Sequence, residues 1–447
     1  MSLNRGLRCL QDSIISARAA SSGVLRIPPV FACLFPCCSD KYYVNSPQVP
    51  ERSRESAIVK MSILTQSTLN SRAHPATGVK YSLRGNVVSI QFLRFVAATL
   101  VVFWHSIEAI NQHVPGSVSG ALFQNGFFGA SGVHIFFVIS GFIMVYTSFP
   151  KGNAGEFSSS KFLLRRFVRI YPIYFIYCAL YICFYHNFLG GPPLRFGELV
   201  GALLLLPGYS AKIIGPGWTL AYEIYFYLCF SVAMMLGLKR GLRALTGFFL
   251  LSIASHFVID TRPQAVFTFT NPLLIEFLLG AWIGYAVVSD VRLGDVPARL
   301  AVVLGLAGFF CGIIFGLRLL PSVLTWGVPS ALLVAGCVFS ERNGHVPTLI
   351  RKGAFLGDSS YSLYLLHVVL IDIVVVLALS SGDWISAYAR DAGSAGTILI
   401  CCATTAYSIV VALISYELLE RRLTGRVHRL LQRAIYTRSD AMPSGRA

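Results

Sequence analysis

Ten apolar stretches follow one another along the chain: 88–110, 126–149, 170–189, 217–237, 242–259, 270–288, 298–317, 322–340, 358–380 and 396–418. A helix rising 1.5 Å per residue needs about 20 apolar residues to cross a hydrocarbon core of ~30 Å, and each stretch approaches or reaches that length. A further run, 197–209, is shorter and stops at Pro207-Gly208. It is expected to be re-entrant or interfacial and not to cross. The pattern predicts an all-α membrane protein, a polytopic helical bundle of about ten transmembrane helices.

The polar positions between these runs set the expected orientation. With a cytoplasmic N-terminus, Lys151, Lys161, Arg165, Arg166 and Arg169 lie inside. If 197–209 does not cross, Lys239, Arg240, Arg243, Arg292, Arg299, Arg342, Arg351 and Lys352 fall inside as well, together with the arginines after 420. That is the distribution the positive-inside rule demands. A crossing at 197–209 would put the later basic clusters outside, so ten spans with both termini cytoplasmic is the expected topology.

Composition agrees. Of 447 residues, 55% are hydrophobic and only 13% charged, against about a quarter charged in soluble domains. The net charge of +17 comes from loops and tails and does not point to nucleic acid. The eleven cysteines form no C-x-x-C pair, and those within apolar runs read as small hydrophobes. Residues 1–87 are Ser- and Arg-rich without a span-length run, and are expected to be a disordered or mis-annotated N-terminal extension. Residues 88–423 form the transmembrane domain, and 424–447 a basic cytoplasmic tail.

Chemistry concentrates in the first span. In 92–105, FLRFVAATLVVFWH, Arg94 and His105 stand eleven residues apart in otherwise apolar sequence. Eleven residues make about three turns plus ~20°, so both project from one helix face roughly 16 Å apart along the axis. Ionisable groups at membrane depth are costly and usually line a functional cavity. Counting from the span ends places His105 and Glu223 at similar depth near the outer face, with Arg94, Arg166 and Arg169 towards the inner face. Without further information such charges serve an enzyme, or a glycolipid transporter or flippase using them as a relay.

Five segments occur in a telling order: LRFVAATLVVFWH (93–105), GVHIFFVISGFIM (132–144), RRFVRIYPIY (165–174), GWTLAYEIYFYL (217–228) and LGDSSYSLYLLH (356–367). Together they resemble acyltransferase family 3, the multispan membrane enzymes that O-acylate cell-surface and exported glycans. The wording of the second and fourth segments is most similar to the exopolysaccharide-acetylating branch. The resemblance covers roughly 88–425.

What it implies is transfer of an acyl group, usually acetyl, from cytoplasmic acyl-CoA to a hydroxyl of an exported polysaccharide or its lipid-linked precursor, in a bacterial inner membrane. The implied partners are acyl-CoA, a carbohydrate or glycolipid acceptor, the bilayer and polysaccharide export machinery. The implied co-substrate is acetyl-CoA, with no metal. The signature pair maps onto Arg94 and His105, and the third catalytic position onto Glu223. The R-x-x-R of the third segment maps onto Arg166 and Arg169, with Arg165 beside it, as cofactor-binding residues. His134, Trp218 and Tyr222 are assigned to the acceptor. Histidine titrates closest to neutrality, so His105 can take a proton from a sugar hydroxyl or carry the acyl group as an acyl-imidazole. Arg166 and Arg169, three apart on one helix face, can clamp phosphates.

Each assignment has a plainer alternative. Arg94 can snorkel to the interface, and Arg165, Arg166 and Arg169 can be positive-inside anchors. His134 can be packing. Ser140-Gly141-Phe142 is expected to allow close helix approach without chemistry. His367 sits deeper than His105 and reads as structural or cofactor-adjacent. Glu276 and Asp372 have no assigned role. Arg422 stands where the family has a proline after Glu420, so the last helix is expected to continue.

Overall fold

A computed structural model describes residues 87–114, 128–149, 157–188, 193–259, 263–315, 320–380, 384–427 and 429. Every described residue belongs to one compact unit, Tyr81–Ala447. The expected N-terminal extension lies outside the described residues, apart from residue 87. So does most of the expected tail.

The described residues form helices and no strand. They are α1 (Val88–His113), α2 (Phe128–Ser148), α3 (Ser159–Phe188), α4 (Phe196–Leu203), α5 (Gly217–Ala233), α6 (Leu238–Ser255) and α7 (Gln264–Thr270). There follow α8 (Leu274–Val288), α9 (Asp295–Phe315), α10 (Val328–Arg342), α11 (Thr348–Gly353), α12 (Ser360–Ser380), α13 (Trp384–Asp391) and α14 (Gly393–Ser415). Among the described residues nine helical runs are long and apolar enough to cross a membrane, so this is an integral membrane protein. The remaining predicted span, 242–259, corresponds to α6, which carries Lys239, Arg240 and Arg243 near its start and is not among the nine. In the 197–209 run only residues 197–203 are α-helical, as part of the eight-residue α4, about 12 Å of helix and too short to cross.

One boundary differs from expectation and another follows it. The third helix starts at Ser159, not near 170, and runs without interruption through Pro172. Arg165, Arg166 and Arg169 are therefore helical positions and not loop residues. No glycine or proline separates 159 from 170, so nothing in the local chain stops the helix. At the other end α14 passes through a π-helical turn, Tyr416–Glu420, and continues as helix to residue 427. This is the continuation that Arg422 predicted.

Small residues hold α2 against α8. A Cβ at Gly141 would stand 2.0 Å from the carbonyl oxygen of Phe277, and one at Gly280 1.9 Å from that of Val138. Any side chain at either place would force the helices apart. Around this contact Phe137 and Phe226 stack on Phe277 with centroids 4.5 and 4.6 Å apart. On α3, Tyr174, Tyr177 and Tyr181 form a buried stripe at helical spacing. Their hydroxyls bond the Ala202 carbonyl, Ser362 and the Leu365 carbonyl respectively, each at 2.9 Å. Buried phenols need such partners. The stripe thereby ties α3 to α4 and α12.

The start of α1 is anchored from α10. The carboxylate of Glu341 accepts the backbone N–H groups of Val88 and Ser89, both at 2.8 Å, and the Ser89 hydroxyl at 2.5 Å. Helix N-termini leave N–H groups without intrahelical acceptors and carry positive partial charge, so a carboxylate suits the position twice over.

Candidate active site

Helices α1, α2, α3, α5 and α12 enclose a cavity of about 100 Å³ lined by Arg94, Ser140, Arg166, Arg169, Glu223 and Tyr364, among others. Arg94 comes from the second turn of α1. Arg166 and Arg169, three residues apart, project from one face of α3. Arg166 donates to the Thr147 hydroxyl at 2.9 Å, and its guanidinium lies 5.6 Å from the Phe162 ring centroid and 5.9 Å from that of Tyr227. Arginine over aromatic faces at this range is held by cation–π attraction. Arg165 is one position off this face, is exposed, and does not line the cavity.

Glu223 faces the same space. It accepts a hydrogen bond from Ser140 at 2.8 Å and another from the Tyr227 hydroxyl. Three guanidiniums and one carboxylate leave the cavity with a surplus of positive charge, suited to an anionic group. Counting residues put Glu223 level with His105 and away from the arginines; the structure sets it among them. The reason lies at the start of α5. Gly217 is buried, and a Cβ there would stand 2.2 Å from the Ser210 carbonyl oxygen. The helix therefore begins inside the bundle against the segment after α4, and distance from its first residue does not measure depth. Ser140 also has a polar task that its place in a small-residue patch did not suggest.

His105 belongs to a second cluster. Its ring stacks on that of His367, with centroids 5.1 Å apart and planes 28° from parallel, and its Nδ1 lies 3.2 Å from the Glu108 carboxylate. The His105 side chain is 37% exposed, whereas His367 is fully buried. The Nδ1 of His367 is 2.7 Å from the Tyr364 carbonyl oxygen. A carbonyl only accepts, which assigns the ring hydrogen to Nδ1 and leaves the lone pair on Nε2. Tyr364 joins the two clusters. Its ring lies 5.9 Å from that of His367, it lines the cavity, and its hydroxyl meets that of Thr219 at 2.8 Å.

His134, Trp218 and Tyr222, the residues expected at the acceptor, lie outside this cavity. His134 is buried and its Nδ1 pairs with the Glu276 carboxylate of α8. Trp218 is partly exposed and meets Tyr222 edge-on at 5.9 Å; Tyr222 is buried and tilted against Phe137 at 6.0 Å. None of the three lines the cavity, which takes Thr219, Leu220 and Glu223 from the same helix. Sequence reasoning passed over Glu108, Tyr364 and Gln91. Glu108 carried a visible signal, since it is three residues beyond His105 and so on its own helix face.

Comparison with known proteins bears on this arrangement. A family profile described as an acyltransferase domain matches residues 87–417. The exopolysaccharide production protein ExoZ of Rhizobium meliloti (strain 1021) is 30% identical over 314 residues, 67% of this chain and 90% of that protein. Acyltransferase MdmB of Streptomyces mycarofaciens is 27% identical over 369 residues, 76% of this chain and 92% of that protein. Protein 2 in the picA locus of Rhizobium radiobacter is 28% identical over 153 residues, 30% of this chain and 74% of that protein. No solved structure matches the chain. The profile runs from the first described helix into the π-helical turn after α14 and so takes in both polar clusters: the chain belongs to acyltransferase family 3.

Proposed function

We propose that this acyltransferase moves an acetyl group from cytoplasmic acetyl-CoA to a hydroxyl of an exported polysaccharide or its lipid-linked precursor, in a bacterial inner membrane. The observation that carries the reading is the cavity holding Arg94, Arg166 and Arg169, joined through Tyr364 to the paired imidazoles of His105 and His367. A phosphate-bearing donor fits the arginine cluster, because guanidinium forks bind phosphate oxygens through paired, charge-assisted hydrogen bonds. Arg94 and His105 are about 16 Å apart along α1, so Arg94 serves the phosphate end and His105 the reacting end. The relative MdmB is itself called an acyltransferase and ExoZ an exopolysaccharide production protein; their names support the reaction and the acceptor class respectively.

His105 then acts as the general base. Its Nδ1 is held by Glu108, which leaves Nε2 to take the proton of the acceptor hydroxyl. The hydroxyl oxygen forms a bond to the thioester carbonyl carbon, the carbon–sulfur bond breaks, and the departing thiolate recovers the proton from His105. Glu108 supports the imidazolium that exists between these two transfers. Glu223, bonded by Ser140 and Tyr227, orders the arginines. A donor arriving from one side and an acceptor from the other suit ten crossings with both termini cytoplasmic, α6 being the tenth. The segment from α4 then lies in or re-enters the interface, where Phe196, 81% exposed, and Val200 meet lipid.

The test is the O-acetyl content of surface and secreted glycans, by NMR, in a deletion strain complemented with wild type or His105→Ala. Signals restored only by wild type are expected. Unchanged acetylation in the deletion strain would overturn the reading.

A further inference from the structure

Arg94 is held in the cavity from behind. Its Nη1 donates to Oε1 of Gln91, one turn earlier on α1, at 2.9 Å, and Nε2 of Gln91 donates to Oδ1 of Asp358 at 2.9 Å. The two ends of this chain leave the amide a single orientation. A guanidinium only donates and an ionised carboxylate only accepts, so the amide oxygen faces Arg94 and the amide nitrogen faces Asp358. Turned over, the amide would set donor against donor and acceptor against acceptor.

The backbone brings Asp358 into reach. It lies in a 3₁₀ segment, Ala354–Ser359, that leads into α12 and rests directly on the first turns of α1. A Cβ at Gly357 would stand 1.9 Å from the carbonyl oxygen of Gln91, and one at Gly353 2.8 Å from the Phe92 ring. Only glycine at 357 lets the segment come close enough for the next residue to meet the Gln91 side chain. The close approach, the amide orientation and the guanidinium bond all converge on where Arg94 points.

We propose that Gln91 and Asp358 are positioning residues for Arg94, with Asp358 acting on the reaction only through Gln91 and the guanidinium. The inference rests on the reading that Arg94 binds the acyl donor. A long side chain loses rotamer freedom when it is ordered, and a site that orders it beforehand binds its ligand with less of that loss. A merely structural role for the Gln91–Asp358 bond, tying the 3₁₀ segment to α1, predicts a different outcome.

The deciding experiment is a double-mutant cycle on the full chain in inside-out membrane vesicles supplied with radiolabelled acetyl-CoA, following label transferred to the endogenous glycan acceptor. Asp358→Leu is expected to raise KM for acetyl-CoA about tenfold while kcat changes by less than about twofold. Asp358→Asn keeps an oxygen facing Gln91 and is expected to stay within about threefold of wild type. In an Arg94→Lys background Asp358→Leu is expected to add less than about twofold, because coupled residues are not additive. If Asp358→Leu does not accumulate, Gln91→Met runs the same cycle from the α1 side. Equal losses in the wild-type and Arg94→Lys backgrounds, or a kcat loss at unchanged KM, would overturn the positioning role while leaving the reaction standing. Wild-type vesicles that transfer no label would overturn both.

Discussion

The imidazoles of His105 and His367 stack with centroids 5.1 Å apart, one ring open on one side and the other fully buried. The open ring has the Glu108 carboxylate at Nδ1 and the buried ring the Tyr364 carbonyl. On the proposed mechanism His105 makes the proton transfers and His367 supports its ring. His105→Ala is expected to lower kcat by about 10²–10⁴-fold, the usual worth of general base catalysis. His367→Phe keeps a flat ring under His105 and should lose less than His367→Ala. Steady-state rates of acetyl transfer by the three variants check the order.

The two neighbouring arginines of α3 should separate cleanly. Arg166 lines the cavity and Arg165 does not. Removing a charged hydrogen-bonding partner costs about 1.5–3 kcal/mol, so Arg166→Ala is expected to raise KM for acetyl-CoA by roughly 10- to 150-fold. Arg165→Ala should stay within about twofold, as surface charges do. Equal effects at both positions would mean that the cluster acts as an undifferentiated anchor.

Glu341 matters for stability and not for chemistry. Glu341→Ala leaves the N–H groups of Val88 and Ser89 without the acceptors they have now, which should cost about 1–3 kcal/mol. Thermal unfolding in detergent should show the loss. Activity per folded molecule should be unchanged at low temperature.

Gly280→Ala is expected to be strongly destabilising, because the new Cβ would stand 1.9 Å from the Val138 carbonyl oxygen. Overpacking of this kind costs about 1–3 kcal/mol or more. Gly197→Ala is the control: nothing lies within 4 Å of a Cβ there, and in α4 the change should be neutral or stabilising by about 0.4–1 kcal/mol. Expression and unfolding midpoints of the two variants test the α2–α8 contact directly.

At Glu198 the backbone N–H of Arg195 and the ammonium of Lys212, 3.2 Å away, hold the carboxyl below the usual carboxylate range. A depressed folded-state pKa contributes stability above the unfolded value of about 4.3 and loses it as pH falls through the folded one. Protection from hydrogen exchange at the first turn of α4, taken relative to the intrinsic exchange rate at each pH, should therefore fall only below about pH 4. Protection already lower at pH 5 than at pH 7 would contradict that assignment.

The α-helical class, the places of most spans, and the gathering of Arg94, Arg166 and Arg169 towards one place were legible in the chain. The physical reason is that they depend on local quantities: the length of an apolar run, and the angle between residues on one helix. Eleven residues along α1, or three along α3, decide a shared face before any tertiary contact forms. Membership of the family followed from the order of five short segments, and it decides between enzyme and carrier, which charge placement alone left open.

Which faces meet is another kind of quantity. Glu223 joined the arginines because α5 starts inside the bundle. His367 reached His105, and Asp358 reached Gln91, because glycine contacts draw the segment before α12 onto α1. Such pairings turn on ångström-scale approach between backbones far apart along the chain. Residue counting converts sequence into depth only for helices with level ends, and α5 begins inside the bundle.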